Sequence, residues 1–455
     1  MSNEKWYDQF TGKKNGKISE SKNKRKEFNR QRDAYYDAKR RGTDKKDGEV
    51  SFSGRRNADA ALLSVRNLFA YKELPADAIA VLNDFDRLVQ GVKPMNSRQL
   101  QNLPRDIRTL SHQLTDERES RHVSYMNATE QLSAYLRYFT WWNLVRLTRV
   151  FANLPEGSLN LSNDNVILDI GSGPLTVVTA LWLARPELRN KKLTVYCLDI
   201  SQSTMAAGEE LYMSVAAKAR PSDENADGFW KIIRVKGEIG TPIRRKANLV
   251  TCANMFNELY QKEHEDPEKI AEKQLKKLMD YAEGDASIFI AEPGMPAAGR
   301  FISIMRENLI EKGFNIPAPC PHLGKCPMDG LHARYGGSAK WCNFSFSTEN
   351  APSKLLKLSE SAGLPKERAV ISFLFADKSK KTDSNKNSQI AVVSDPIMLP
   401  GHRLGFYSCC EKGMILAVDS GNRKLKSGDI LSVKIETPLE ALQKDKKSGA
   451  MELNV

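Results

Sequence analysis

Apolar and polar residues follow a regular order between residues 160 and 312. Short apolar runs bounded by turn residues predict strands, and longer stretches with apolar residues at helical spacing predict helices. The predicted strands are Asn165–Ile170, Leu193–Leu198, Lys231–Val235, Asn248–Cys252 and Ala286–Ala291, and the helices among them include Val177–Leu183 and Met205–Ala217. This order predicts an α/β fold, with a mostly parallel, doubly wound sheet covered by helices on both faces.

The sequences on either side of this core have different patterns. Apolar residues recur at helical spacing in Ala58–Phe69 and in the aromatic stretch Thr129–Phe151, which predicts an N-terminal helical region. After the core, apolar runs at Val370–Phe375 and Gln389–Val393 predict further strands, and residues 401–437 predict short strands. The chain from Leu439 onward is polar and predicts no regular element.

Positive charge is concentrated at the start of the chain. The net charge is +13, and residues 1–56 contain 17 Lys and Arg against 9 Asp and Glu, with Ile18 and Val50 as their only aliphatic residues. Such a segment cannot build a core, and its charge is typical of a tail that binds a polyanion, RNA first. The alternative is a solvated tail that only aids solubility. No apolar run suits a membrane span, and a polar start with Glu4 and Asp8 predicts a cytoplasmic protein.

A glycine turn follows the first predicted strand, in the sequence Asp169-Ile170-Gly171-Ser172-Gly173-Pro174. Glycines between a strand and a helix let a ligand approach the backbone, and Asp199 at the end of the next strand can accept the two hydroxyls of a ribose. The third glycine of a dinucleotide loop is missing, because Thr176 stands there. The turn therefore favours S-adenosylmethionine over a dinucleotide, or it is a structural turn that binds nothing.

Two further segments follow strands of the same sheet. Asn254, Asn257 and Glu258 come after the fourth strand, so any of these side chains could touch cofactor or substrate at the crevice, or the segment is a polar helix start that touches nothing. Glu292 comes after the fifth strand and is either a site residue or a turn former. Neither segment contains a recognisable methyl-acceptor motif, so no catalytic residue is predicted.

Five of the seven cysteines lie in the last third of the chain. Clustered cysteines in a protein without export features are more often metal ligands than disulfide partners. Their spacing differs from that of a zinc ribbon, and His322 is a weaker ligand candidate. The alternative is a set of reduced or redox-reactive thiols. The candidates are Cys320, Cys326, Cys342 and one of Cys409 and Cys410.

Three cysteine contexts identify a family by resemblance. Pro319-Cys320-Pro321-His322, Cys326-Pro327 and Trp341-Cys342-Asn343-Phe344 resemble the cysteine pattern of the methyltransferase-like assembly factors of the small ribosomal subunit, which include mitochondrial ribosome-associated proteins and bacterial relatives. The glycine turn and Glu292-Pro293-Gly294 are similar to the family's cofactor loop and post-strand motif. The resemblance covers residues 120–420.

The resemblance implies a class I methyltransferase-like (Rossmann-like) fold and a 4Fe–4S cluster, with zinc as the alternative. By this resemblance the ligands are Cys320, Cys326, Cys342 and Cys409, since Gly413 follows Cys409 at the family's spacing. The cofactor-binding residues would be Asp169, Gly171, Ser172, Gly173, Asp199 and Asn254. Leu175 replaces a family glycine and is expected to crowd the methionine end of the cofactor, whereas the longer gap before Cys342 is a tolerable loop insertion.

The predicted function is that of a methyltransferase-like factor that binds S-adenosylmethionine and the rRNA of the small subunit or its precursor, as a monomer and away from membranes. One alternative is a noncatalytic assembly factor with a vestigial or sensing pocket, and a weaker one is a zinc-stabilised methyltransferase of tRNA or protein. The predicted regions are a basic tail (1–56), a helical region (57–159), the α/β core (160–312), a cysteine-rich metal-binding segment (313–345), and the final core strands with a β-rich extension (346–455).

Overall fold

The computed structural model describes residues 59–115, 129–220, 228–258, 266–333, 339–378, 388–419 and 423–455. The basic tail predicted for residues 1–56 lies outside this part of the chain. The strands are β1 (Ala60–Asn67), β2 (Val166–Ile170), β3 (Thr194–Asp199), β4 (Lys231–Lys236), β5 (Ala247–Ala253), β6 (Ala282–Glu292), β7 (Asn315–Ala318), β8 (Phe344–Ser347), β9 (Arg368–Asp377), β10 (Ser388–Val392), β11 (Ile397–Leu399), β12 (Arg403–Cys410), β13 (Gly413–Val418), β14 (Asp429–Ile435) and β15 (Met451–Asn454).

Helices precede the first core strand and alternate with the strands that follow it. They are α1 (Ala76–Asn83), α2 (Phe85–Val92), α3 (Ser97–Thr115), α4 (Thr129–Ala134), α5 (Trp141–Ala152), α6 (Thr176–Ala184), α7 (Pro186–Arg189), α8 (Gln202–Lys218), α9 (Pro267–Tyr281), α10 (Pro296–Glu311) and α11 (Ser353–Ser361). A π-helical turn, Tyr135–Thr140, joins α4 to α5. Among the described residues, no helix is both long enough and apolar enough to cross a membrane.

The larger sheet has eight strands and carries the glycine turn. Its order is β4-β3-β2-β5-β6-β9-β7, with β8 paired to β9. The strands from β4 to β6 are parallel, and β9 runs antiparallel to its neighbours. The chain starts at β2, winds outward through β3 and β4, and then continues on the other side through β5 and β6. This reversal is the switch point at which doubly wound sheets bind ligands, and the predicted α/β fold is confirmed.

Two apolar layers enclose this sheet. Every residue of β2 is buried, as expected for a parallel strand covered on both faces. Ile167 and Val195 pack in the layer formed by α5, α6, α8 and the N-terminal helices. Leu168 and Leu198 point the other way, towards α9 and α10. The alternation along each strand therefore separates the two layers.

The second sheet has the order β1-β14-β10-β12-β13-β15, and β11 pairs with β12. Both sheets belong to one compact unit, Ala58–Val455. Two predictions about its edges are wrong. Ala60–Asn67 is a strand rather than a helix, because β14 supplies its hydrogen-bonding partners, from Ala60↔Ile435 to Asn67↔Asp429. The polar end of the chain is also regular, because Met451–Asn454 pairs in parallel with β13.

Candidate functional site

The glycine turn between β2 and α6 lies at the switch point. Gly171 (φ 67°) and Gly173 (φ 49°) both adopt left-handed backbone conformations, which glycine tolerates without strain. The amides of Gly171 and Ser172 donate to the carbonyl of Leu198 at 2.8 and 3.2 Å. The Ser172 hydroxyl donates to the carbonyl of Asp169 at 2.7 Å. Ser172 therefore stabilises the turn, which is fixed to the carboxyl ends of both β2 and β3.

The two glycines have different surroundings. A Cβ atom at Gly171 would lie 2.6 Å from Cγ of Met255, so this glycine is required for packing. A Cβ atom at Gly173 would have no heavy atom within 4 Å. The backbone at Gly173 therefore borders open space, and a ligand can approach it there. We call the space between this turn and residues 199–201 and 254–257 the glycine crevice.

Asp199 contacts the glycine turn directly, beside the open space at Gly173. Its Oδ2 accepts a hydrogen bond from the Gly173 amide at 2.9 Å, and its Oδ1 accepts one from the Ser201 amide at 2.8 Å. Burial raises the pKa of Asp199, and these amides oppose the rise. Each carboxylate oxygen can accept more than one hydrogen bond, so both remain able to bind ribose hydroxyls. The predicted pairing of turn and carboxylate is present, with a direct contact that the sequence did not reveal.

Asp169 lies beneath the turn and is fully buried. Its Oδ1 accepts a hydrogen bond from the Thr251 hydroxyl at 2.7 Å, whereas its Oδ2 is buried without a partner among the described residues. Burial raises the pKa of Asp169 to about 7, although Thr251 and Ser172 lower it. A buried carboxyl with one unpaired oxygen is a site where protonation or a donor from a ligand would relieve an unsatisfied group.

A buried carboxylate shapes the wall opposite the turn. Asn254, which directly follows β5, has a left-handed backbone (φ 55°), and its backbone N–H donates to the carbonyl of Ala291 at 2.8 Å. Glu292 is 1 % exposed and accepts hydrogen bonds from the amides of Phe256 (2.8 Å) and Asn257 (3.1 Å). Glu292 therefore anchors the segment that follows β5. This places Asn254 beside the crevice, where its predicted contact with a cofactor stays a prediction.

Leu175 does not line the crevice as expected. Its side chain is fully buried and packs in the apolar layer on the α5–α6 side of the sheet. Its backbone is left-handed (φ 55°), a conformation that glycine adopts freely and that strains a leucine. The leucine therefore contributes to the core, and crowding of a cofactor by its side chain is not supported.

Four thiols converge from separate parts of the chain. Cys320 follows β7, Cys326 lies in the next loop, Cys342 precedes β8, and Cys409 lies on β12. All are free of disulfide bonds. A bridge between Asp329 and Trp341 closes the loop that precedes Cys342. The loop between Cys326 and Cys342 therefore starts and ends at the same place, so its length does not move Cys342 away from the other thiols.

Neighbouring thiols influence one another electrostatically. Burial raises the pKa of Cys342 well above its ordinary value, and the thiolates of Cys326, Cys320 and Cys409 raise it further. Burial likewise raises the pKa of Cys326 to about 11, with Cys320 as the next cause. Without a metal these groups are therefore protonated near neutral pH, and binding of a metal must displace their protons.

Strand alternation distinguishes Cys409 from Cys410. Successive residues of β12 point to opposite faces. Burial raises the pKa of Cys409, and Cys320, Cys326 and Cys410 raise it further. Cys409 in turn raises the pKa of Cys342, so it is electrostatically coupled to the other three members. Burial also raises the pKa of Cys410, but its further influences come from Glu411, Lys412 and Gly413. The geometry therefore favours Cys409 as the fourth member, and we call Cys320, Cys326, Cys342 and Cys409 the thiol set.

A buried arginine lies against the thiol set. Arg306, on α10, is 3 % exposed; its Nε donates to Cys320 Sγ at 3.1 Å, and its Nη2 donates to the carbonyls of His322 (2.7 Å) and Gly324 (2.9 Å). Its Nη1 is buried without an acceptor among the described residues. Burial alone lowers the pKa of Arg306, but the thiolates of Cys320, Cys326 and Cys409 raise it overall.

This arginine tests whether the thiol set fits a metal centre. A buried guanidinium requires an anion nearby, and neutral thiols do not provide one. Metal-bound thiolates are anionic, so the donor set and its counter-cation suit a centre of soft thiolate ligands. Across the described residues, however, no group of three or more His, Cys, Asp or Glu side chains is arranged to hold a metal ion. The centre is therefore a proposal that rests on donor chemistry and charge.

Family comparison decides the kind of protein. The family model described as "Mitochondrial small ribosomal subunit Rsm22" matches residues 145–416, which is more than half of the chain. The chain belongs to the Rsm22 family. The predicted membership in a methyltransferase-like family of the small ribosomal subunit is thereby confirmed. The Rsm22 segment begins within α5, ends within β13, and includes the glycine crevice and the whole thiol set.

Other comparisons add little to the Rsm22 match. No curated protein matches the chain. Similar solved structures include a ribosomal protein L11 methylase from Lactobacillus delbrueckii subsp. bulgaricus (16% identity, 41% of this chain, 73% of that chain, TM-score 0.25), a methyltransferase from Pyrococcus furiosus (12%, 48%, 78%, 0.26) and the plantazolicin methyltransferase BpumL in complex with SAH (11%, 62%, 98%, 0.25). At these TM-scores we draw no conclusion from them.

Sequence reasoning missed Arg306 and left the role of Glu292 undecided. Arg306 follows the mostly apolar run Phe301–Met305 of α10 but precedes Glu307 and Asn308, so its local sequence does not distinguish it from an exposed arginine. Glu292 directly follows the apolar run Ile288–Ala291 of β6, but only the structure shows which amides it binds.

Proposed function

We propose that this chain binds S-adenosylmethionine in its glycine crevice, holds an iron–sulfur cluster on its thiol set, and acts on the small ribosomal subunit through rRNA. The observation that carries the proposal is that the single matched segment, residues 145–416, contains both the crevice and the thiols. The cytoplasmic location and the monomeric state remain predictions.

The crevice supplies the contacts that such a cofactor requires. Gly173 would let the cofactor approach the backbone, and Asp199 would accept hydrogen bonds from its ribose hydroxyls. Asn254 would contribute its side-chain amide from the wall opposite the glycine turn. Support comes from the open space at Gly173 and from its contact with Asp199.

Calorimetric titration with S-adenosylmethionine and S-adenosylhomocysteine tests the crevice. Gly173→Val should abolish binding, because its side chain would fill the open space. Gly157→Val is the matched control, because Gly157 also has a left-handed backbone (φ 77°) and no neighbour within 4 Å, but lies in an exposed turn. Absence of binding by the wild-type chain would exclude an enzyme of this class.

The thiol set would hold the cluster through the four sulfur atoms of Cys320, Cys326, Cys342 and Cys409. The bound cluster would join a loop of the core to strand β12 of the second sheet, and so staple segments that are distant in sequence. Anaerobic purification followed by iron, sulfide and zinc analysis tests this. Equal amounts of iron and sulfide together with a broad absorbance band would support the cluster. One zinc per chain would instead support a thiolate site that binds zinc rather than a cluster.

Two cations that have no carboxylate partner among the described residues indicate where rRNA would bind. Lys366 Nζ lies 5.9 Å from the ring centre of Trp142, and Arg146 follows Trp142 one helical turn later. Arg146 Nη1 donates to Asn143 Oδ1 at 3.0 Å, but its Nε is buried without an acceptor among the described residues. Within that part of the chain neither cation has a carboxylate partner. Lys366 is half-buried and Arg146 lies beneath it, so an RNA phosphate would contact Lys366 at the surface.

Salt-dependent binding of a small-subunit rRNA transcript tests this surface. Lys366→Gln should weaken binding and reduce the slope of log affinity against log salt by about 1, the value for one lost phosphate contact. Lys354→Gln is the control, since Lys354 is already paired with Asp86 at 2.9 Å. Equal slopes for the wild type and Lys366→Gln would refute the contact.

A noncatalytic role is the second candidate. The carboxylates of Asp199 and Glu292 both accept hydrogen bonds from backbone amides of the crevice, so they hold its walls. Transfer of labelled methyl groups from S-adenosylmethionine to small-subunit rRNA separates the two candidates. Binding of the cofactor without transfer would favour the noncatalytic factor.

A further inference from the structure

We infer that Arg306 is the positioning residue and fixed counter-cation of the thiolate centre: it holds the Cys320 loop in its ligating position and makes the cluster easier to reduce. The inference rests on the proposed cluster and goes beyond it, because it assigns the control of reduction to one residue of α10.

The geometry gives Arg306 two tasks. One edge of its guanidinium binds the carbonyls of His322 and Gly324, which lie between the first two cysteines, at 2.7 and 2.9 Å. Its Nε donates to Cys320 Sγ at 3.1 Å. A single planar side chain therefore joins the loop backbone to a ligand sulfur, and a lysine cannot reproduce this fork.

Charge explains the effect on reduction. Reduction adds one electron, supplied for example by dithionite, and makes the centre more negative without breaking any bond of the chain. A buried positive charge and a hydrogen bond to a ligand sulfur both favour the more negative state, and they raise the reduction potential. Arg306 is 3 % exposed, so water screens its charge only weakly.

Redox titration of the anaerobic full-length chain, followed by its visible absorbance, tests the inference. Arg306→Met should lower the midpoint potential by at least about 59 mV, which for one electron corresponds to a tenfold change in the equilibrium constant of reduction. Arg306→Lys keeps the charge but loses the fork, so it should retain most of the potential and lose part of the iron. Arg189→Met is the control, because Arg189 is equally buried and pairs with Asp77, away from the thiols.

The outcomes separate the two levels of the proposal. A wild-type chain without iron overturns both the cluster and the role of Arg306. An iron-loaded wild type with an unchanged potential in Arg306→Met overturns only the role of Arg306. If Arg306→Met does not fold, the lysine variant decides: iron content equal to that of the wild type would overturn the positioning role, and loss of most of the potential despite the retained charge would overturn the counter-cation role.

Discussion

Asp169→Asn should remove a pH dependence of stability that originates beneath the glycine turn. Burial raises the pKa of Asp169 from 3.8 to about 7. The folded chain therefore keeps a proton that the unfolded chain releases, so the stabilisation is complete below pH 3.8 and is lost as the pH rises through 7. At 1.36 kcal/mol for each pH unit, the total change is about 4 kcal/mol, and roughly 3 kcal/mol of it falls between pH 5 and 8.

The assay is urea unfolding at pH 5, 6, 7 and 8, with wild type and variant matched in iron content. The free energy of unfolding of the wild type should fall relative to that of Asp169→Asn by about 3 kcal/mol across this range. The asparagine amide lacks an acceptor at the former Oδ2 position, which shifts the difference equally at every pH. Asp164→Asn is the control, because Asp164 is exposed in a left-handed turn that asparagine tolerates. The reasoning would be refuted if the difference in unfolding free energy between the wild type and Asp169→Asn varied with pH as little as the difference for Asp164→Asn.

Three further predictions concern buried groups. Glu292→Gln should lower the free energy of unfolding by about 2 kcal/mol and speed hydrogen exchange of the two amides that it binds, because these amides lose a charged acceptor; unchanged exchange would contradict its anchoring role. Leu175→Gly should destabilise the chain by about 1–3 kcal/mol in urea unfolding, since loss of the buried side chain exceeds relief of backbone strain; tighter binding of S-adenosylmethionine would contradict the placement of Leu175 in the core. Cys326→Ser should lower metal content and thermal stability together, whereas Cys410→Ser should leave metal content unchanged; equal metal loss in both variants would remove the distinction between the faces of β12.

The α/β core was predictable because its central strands are buried on both faces. Runs such as Asn165–Ile170 and Leu193–Leu198 are continuous apolar segments bounded by polar turns, and the observed β2 and β3 differ from them by one residue at most ends. The edges of the second sheet were not predictable. The sequence of β1 also fits a helical period, and its pairing with β14 decides the outcome.

The candidate site was predictable in its residue types and less so in its contacts. The glycine turn and Asp199 follow adjacent strands, so their proximity follows from strand order. The amide of Gly173 binds that carboxylate directly, which depends on a backbone conformation that residue identity does not specify. The role of Arg306 was not predictable from the sequence either, because its acceptors belong to a loop whose path is set by tertiary packing.

The pairing of β1 with β14 imposes a delay during synthesis. Asn67 and Asp429 are hydrogen-bonded across 362 residues, so β1 leaves the ribosome long before its partner exists. At 5–20 residues per second, the wait is about 20–70 s. Even in the finished fold, Leu63 and Val65 of this strand are 53% and 45% exposed. A strand that waits so long with apolar side chains in water is a substrate for chaperones and a starting point for wrong strand pairing.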